Sequence, residues 1–381
     1  MRRLLAICFA VVFLDAAFFA ALAPILPTLT RELDLSSTSA GVLTGSYGAG
    51  VLIFAIPGGW YAAKHGAKPA VLLGLVGMGL FSVAFGVAEA VWLLDVSRFM
   101  QGASGALLWV GAMSWVISSG PEDRRGELIG VLVAAATVGE MLGAPIGALA
   151  HALGKDVVFG AIALVSAVIF ACAFPLPEAR RIGSSSLRTL PSAIRGTGVL
   201  PSVWLLGAAA FAFGVVIVLA PLRLDSLGAS AVMIALAFAA GSIVETFVGP
   251  LTGRISDRVG RQAPFQLGAI LATFAILGIA TLDARWLVAA ALLCFSFAAG
   301  MAFAPALALT ADRASGAGID QGYASGFTNV AFGGGQMLGA LSAGALAASS
   351  DLLPAAVTAV VLLTAAVLAG SVLGGDSAGR R

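Results

Sequence analysis

Charge is what this sequence has least of. Only 10% of its 381 residues are Asp, Glu, Lys or Arg, whereas 60% are hydrophobic and the mean hydropathy is +1.02. Soluble domains carry roughly 25% charged residues, so the composition excludes a soluble globular protein and implies an integral membrane protein. The net charge of +2 is too small to call for nucleic acid. Cysteine and histidine are also scarce. Cys8, Cys172 and Cys294 lie apart in apolar runs, and His65 and His151 stand alone. Neither a disulfide framework nor structural zinc is expected, nor any other metal or cofactor.

What is present is long apolar stretches. Crossing about 30 Å of hydrocarbon at 1.5 Å per residue takes roughly 20 residues. Cutting the chain at its polar punctuation predicts twelve helical spans, at 4–26, 39–62, 69–88, 91–118, 127–149, 157–175, 200–222, 229–251, 264–282, 286–309, 322–347 and 352–374. The opening run MRRLLAICFAVVFLDAAFFAALAPILP has the basic head of a secretion signal. It is about twice as long as a signal's apolar region, so it is expected to stay as the first span. An even number of spans puts both termini on one side. Sixteen lysines and arginines fall on that side and four on the other, with Arg98 inside a span. The positive-inside rule then predicts cytoplasmic termini, in a cell (inner) membrane.

The chain repeats itself. GELIG at 126–130 returns as GYASG at 322–326, and GEMLGA at 139–144 as GQMLGA at 335–340, both 196 residues on. Gly59 and Gly66 return as Gly253 and Gly260, 194 residues on. Between the copies lies PEARRIGSSSLRTLPSAIRGTG, a basic Ser/Gly/Pro-rich linker. The expected organisation is a six-helix half over 1–177, a cytoplasmic linker over 178–198 and a second six-helix half over 199–381. The fold class is therefore all-α, twelve transmembrane helices in two pseudo-symmetric six-helix bundles.

Four charges crowd into GRISDRVGR at 253–261: Arg254, Asp257, Arg258 and Arg261, framed by Gly253 and Gly260. The glycines suit a tight turn and a close helix approach. Asp257 is expected to pair with the arginines and with a neighbouring helix N-terminus. An eroded copy, GWYAAKHGAK, keeps Gly59, Lys64, Gly66 and Lys68 but has Ala63 at the acidic position and Ala67 at a basic one. Two six-span halves, a basic linker and this charged glycine motif after the second span of each half resemble the major facilitator superfamily. RFMQGASGA at 98–106 looks like that superfamily's fourth-span motif, with Arg98 in the arginine position. VGEMLGAPIGA at 138–148 resembles the fifth-span motif of antiporters, with Pro145 one residue later than usual. LDAAFFAALAPILP is similar to the drug:proton antiporter branch. The resemblance implies that the charged loops latch the two halves when the cytoplasmic side closes. It also implies that spans 1, 4, 7 and 10 line a central cavity.

Charge inside a membrane costs at least about 2.5 kcal/mol, so each such residue is a functional candidate. Helical rise places Asp15 roughly 16 Å, and Arg98 and Glu140 roughly 19 Å, from the cytoplasmic face. These depths are near the midplane, where transporters bind between repeats. If the superfamily's lining carries over, Asp15 and Arg98 share one water-filled space, either as a proton-loading site or as a fixed ion pair. Asp95, one turn before Arg98, is an alternative partner for the arginine. Glu140 is a proton or cation candidate whose second-half counterpart is the neutral Gln336. Glu245 is expected nearer the cytoplasmic end of span 8, and Gln101 is expected to offer a hydrogen bond below Arg98. Spans 7, 10, 11 and 12 carry no charge and offer Phe211, Phe213, Phe295, Phe297, Phe303 and Phe332. Gly139, Gly143 and Gly147 form a small-residue ridge beside Pro145, echoed by Gly335 and Gly339.

With no nucleophile motif, phosphate loop or ATP-binding motif, no enzyme is expected, and any pumping draws on a gradient. The reading favoured by the residues and the resemblance is proton-coupled efflux of small amphiphilic or cationic compounds by alternating access. The alternative is gradient-driven transport of sugars, organic acids or amino acids, including uptake, with Arg98 anchoring an anion. A polytopic membrane enzyme or sensor comes third. The expected partners are a small-molecule substrate, protons and the lipid bilayer; nothing in the sequence sets an oligomeric state.

Overall fold

Lipid offers the backbone no hydrogen-bond partners, so an apolar run that enters it must pair its own amides as a helix. The computed structural model describes residues 1–121, 125–178, 198–319 and 321–374. Among the described residues there is no strand, and twelve segments are long and apolar enough to span a membrane. Span 1 is Arg2–Ala20 continued by Leu22–Glu32; spans 2 to 6 are Ser37–His65, Ala67–Val87, Val91–Ser119, Arg125–Leu153 and Lys155–Ala173. Spans 7 to 12 are Val199–Ser226, Ala231–Val259, Gln262–Thr281, Arg285–Gly316, Gln321–Ala347 and Leu352–Gly374. Apart from Glu178 and Gly198, the linker expected at 178–198 lies outside the described residues, as do Arg124, Arg380 and Arg381.

Spans 1, 2, 5, 7, 8 and 10 outrun their expected limits at the C-terminal end by three residues or more. Hydropathy marks the stretch that lipid can hold, whereas a helix continues until its last carbonyls are capped. The consequence for the charged motif is a correction. Gly253, Arg254, Asp257 and Arg258 belong to the last turns of span 8 rather than to a loop. Gly253 makes neither a turn nor a close contact, since nothing lies within 4 Å of where its Cβ would be. The turn comes from Gly260 alone, at φ +90°, and its first-half equivalent Gly66 has φ +108°. Left-handed φ is open to glycine without steric cost. Asp257 is exposed and, among the described residues, has no hydrogen-bond or ion-pair partner, so the expected pairing is not formed.

The remaining motif cations bind within their own half. Lys68 Nζ donates to the carbonyls of Phe174 at 2.6 Å and Leu176 at 2.7 Å, tying the start of span 3 to the end of span 6. Arg261 pairs with Asp312 at 2.5 Å, tying span 9 to span 10. Lys64 lies over the Trp60 ring, 4.7 Å from its centroid.

The duplication is visible in the packing. Span 5 lies on span 1 through Gly139, Gly143 and Gly147, where side chains would strike the carbonyls of Phe13, Ala17 and Ala21. Span 11 lies on span 7 in the same way, with Gly335 against the Gly207 carbonyl and Gly339 against the Phe211 carbonyl. Small residues replace the hydrophobic effect as the means of close helix packing in lipid. Ser36 and Ser230, 194 positions apart, cap spans 2 and 8 by accepting from the amides of Ser39 at 3.1 Å and Met233 at 3.2 Å. The halves meet where span 2 packs on span 11 and span 5 on span 8.

Two contacts join equivalent positions of the halves directly. Phe19 and Phe213 stack at 6.1 Å with planes 20° apart. Arg31 Nη1 donates to both carboxylate oxygens of Asp225, at 2.6 and 2.5 Å, across a separation of 194 residues. The second contact lies at the far end of the bundle, opposite the end that carries the N-terminus. That N-terminal end is called the basic end below.

Candidate functional site

The site begins with two helices that cross closely. A side chain at Gly50 would collide with the Phe99 carbonyl, and one at Gly102 with the Tyr47 carbonyl, so spans 2 and 4 touch backbone to backbone. This crossing fixes Tyr47, which is only 4% exposed. Its hydroxyl donates to Asp15 Oδ1 at 2.8 Å. Gly105 leaves the room for that bond, since a methyl there would lie 2.5 Å from the same oxygen.

Arg98 stands on the other face of the tyrosine and is 1% exposed. Its guanidinium carbon is 5.1 Å from the Tyr47 ring centroid and 5.5 Å from that of Phe18, within cation–π range. Nη1 donates to Gln101 Oε1 at 3.3 Å, and Gln101 Nε2 donates to the Phe81 carbonyl at 2.8 Å. Arg98 Nε has no partner. The expectation that Asp15 and Arg98 share one water-filled space is thus corrected: Tyr47 touches both, and no ion pair joins them among the described residues. Asp95 does not pair with Arg98 either; its Oδ1 is buried and unpartnered. Gln101 is fully buried and is not among the described residues that line the cavity.

Asp15 faces a cavity of about 510 Å³ between the halves, within the range typical of small-molecule sites. Glu140 of span 5 and Glu245 of span 8 line the same cavity. Glu245 was expected nearer the cytoplasmic end of span 8; because that helix runs on to Val259, Glu245 stands at its middle and lines the cavity. Among the described residues, neither glutamate has a hydrogen-bond or ion-pair partner. No Lys, Arg or His is among the described lining residues. No three described His, Cys, Asp or Glu side chains are grouped closely enough to hold a metal ion.

Five aromatic rings, Phe19, Tyr47, Trp109, Phe303 and Phe332, share the wall with aliphatic and small residues. Phe19 lies 4.9 Å from Tyr47 and 6.2 Å from Phe332, and Phe332 lies 6.1 Å from Phe303. Of the other phenylalanines the sequence offered, Phe213 backs Phe19, Phe211 and Phe295 pack into the second half, and Phe297 is 44% exposed on the outer surface. From this aromatic level the lining continues toward the basic end through Val12, Val133 and Ala311. At the far end Arg31 pairs with Asp225, beside a second space of about 200 Å³ that His151 also borders.

Sequence reasoning passed over Tyr47, Trp109 and Asn329, all of which line the cavity. A faint signal existed for two of them. Tyr47 is one of three tyrosines, set among small residues in GSYGAG, and Asn329 is the only asparagine in the chain.

Two six-helix halves thus enclose an acidic, partly aromatic cavity at their interface. The chain belongs to the Major Facilitator Superfamily, whose family model matches residues 8–320. It is 31% identical over 166 residues to the MFS-type transporter ppzB of Metarhizium rileyi (strain RCEF 4871), covering 42% of this chain and 33% of that protein. It is 29% identical over 305 residues to the class G tetracycline resistance protein of Vibrio anguillarum, covering 74% of this chain and 75% of that one. Multidrug resistance protein 2 of Bacillus subtilis (strain 168) is 25% identical over 324 residues, with 80% and 79% covered. The chain thus spans about a third of the length of the first and over two thirds of the other two.

Proposed function

We propose that the protein is a proton-coupled exporter of small amphiphilic cations, working by alternating access in the cell (inner) membrane with both termini cytoplasmic. One observation carries this reading: three carboxyl groups share an aromatic-walled cavity in which no described lining residue is cationic. Carboxylates and ring faces are the two surfaces that attract an organic cation. A carboxyl group that holds a proton when empty and releases it to admit a cation exchanges one for the other. Asp15, Glu140 and Glu245 are the candidates for that exchange. The sequence assigns sixteen lysines and arginines to the N-terminal side, seven of them outside the described residues, and this excess supports the orientation. The cavity then faces the cytoplasm, from which an exporter loads. Resistance-protein relatives support efflux. The anion-binding alternative loses its anchor, because Arg98 is buried behind Tyr47 and does not line the cavity.

In this arrangement Lys68 and Arg261 each tie elements of their own half, and among the described residues Asp257 has no partner. Our reading of the motif is a latch, formed when the basic end closes over a departing substrate.

The test uses inverted membrane vesicles holding a pH gradient, with and without the protein. Lipophilic amines should dissipate the gradient only when the protein is present. Asp15→Asn, Glu140→Gln or Glu245→Gln should abolish that leak in at least one case. If cations have no effect while a sugar or carboxylate moves and all three variants stay active, the reading is wrong.

A further inference from the structure

The cavity is asymmetric in chemistry although its halves are alike in form. The position equivalent to Glu245 is Val51, and the position equivalent to Asn329 is Val133. All four residues line the cavity. Asn329 has a further peculiarity. It is only 9% exposed, yet its Nδ2 has no hydrogen-bond partner, and no bond to its Oδ1 is made by any described residue. A buried amide group left unpaired costs about 1–3 kcal/mol, and buried polar groups in proteins are nearly always satisfied. An amide in a cavity wall whose donor is shut off from solvent and whose acceptor no described residue bonds is suited to a ligand as its partner. A half-turn of the side chain exchanges its two ends, so it can meet either a carbonyl or a hydroxyl.

Resting on the cation reading above, we propose that Asn329 is a specificity residue, selecting cations that also carry an uncharged hydroxyl or carbonyl group. The depth of the residue sets where that group must be. Asn329 lies seven residues, or two turns, toward the basic end from Gln336, the counterpart of Glu140. That is about 10 Å along the bundle. For a charge held at Glu140, the favoured substrate is an elongated aromatic cation with a neutral hydrogen-bonding group about 10 Å further along the bundle. Phe332 and Trp109 supply apolar wall in the same cavity. A purely hydrocarbon cation gains the ring contacts but leaves the amide unpaired.

The experiment compares two matched probes: an aromatic alkylamine bearing a ring hydroxyl distal to the ammonium, and the same amine bearing a methyl there. Gradient dissipation in vesicles gives a half-saturation concentration for each, and the readout is their ratio. The wild-type protein should favour the hydroxyl probe by about tenfold, the worth of one hydrogen bond. Asn329→Val, which places in the second half the residue already present in the first, should bring the ratio close to one. Asn329→Thr, of similar bulk and with a hydroxyl, should keep part of the preference and guards against a folding defect. A wild-type ratio near one, or a ratio unchanged in Asn329→Val, overturns the inference. If neither amine discharges the gradient through the wild-type protein, the cation reading itself falls and takes this inference with it.

Discussion

The Arg31–Asp225 pair is the simplest handle on how the far end stays shut. Reversing one charge, by Asp225→Arg, replaces an attraction with a repulsion between two guanidinium groups. The side chains are 57% and 30% exposed, so the native pair is worth no more than about 1 kcal/mol. Two like charges near 4 Å repel by about 1 kcal/mol in water and about 4 kcal/mol at lower effective dielectric. The exposure of Arg31 places this site toward the lower figure. A swing of about 1.5 kcal/mol moves the balance of far-end-closed to far-end-open forms roughly tenfold. Thiol labelling can read that balance. Cys8, Cys172 and Cys294 are replaced by serine, and Phe213→Cys puts one thiol in the aromatic layer between cavity and far end. A membrane-impermeant maleimide is then added on the Arg31 side. Labelling should accelerate about tenfold in Asp225→Arg and return to its starting rate in the exchanged pair Arg31→Asp/Asp225→Arg. High salt should shrink the difference, because exposed charges are screened. An unchanged rate in the single variant, or failure of the exchange to restore it, would refute the idea that this pair holds the far end.

Further expectations concern the interior. Tyr47→Phe removes the hydroxyl that donates to Asp15 while keeping the ring beside Arg98, and should weaken cation transport about tenfold in half-saturation with expression unchanged. Gly143→Leu drives a side chain into the Ala17 backbone and should lower the melting temperature in detergent by more than Gly130→Leu, whose surroundings are open. Gln336→Leu removes two buried polar atoms with no partner and should raise stability by about 1–3 kcal/mol, read as a higher unfolding temperature. A lower one would mean that the amide is satisfied in solution.

The spans were legible because lipid makes hydrophobicity a requirement along about 20 residues. Helix ends were not, since Arg254 and Asp257 are polar yet helical. Asp15, Glu140 and Glu245 could be picked out because an ionisable group in lipid is too costly to be incidental. Arg98 was picked out on the same ground but misplaced. Position along a span gives depth, whereas the direction in which a side chain points depends on how Phe18 and Tyr47 pack around it. Tyr47 and Asn329 gave almost no signal, because one hydroxyl or one amide barely alters the hydropathy of a helix. Their importance comes from contacts, or the lack of them, that only the folded chain creates.

Phe19 touches Phe213, and Arg31 touches Asp225, and in each case the partner is the residue's own repeat. Such contacts occur only on the axis that relates the two halves, where every residue meets its own image. Phenylalanine tolerates its image, because two rings can stack. Arginine does not, and neither does aspartate. A pair of identical six-helix chains assembled in this way could keep the aromatic contact but would set cation against cation at its outer seam. Joining the halves in one polypeptide frees the two positions to differ, and the seam then becomes a fastening that no symmetric dimer can possess.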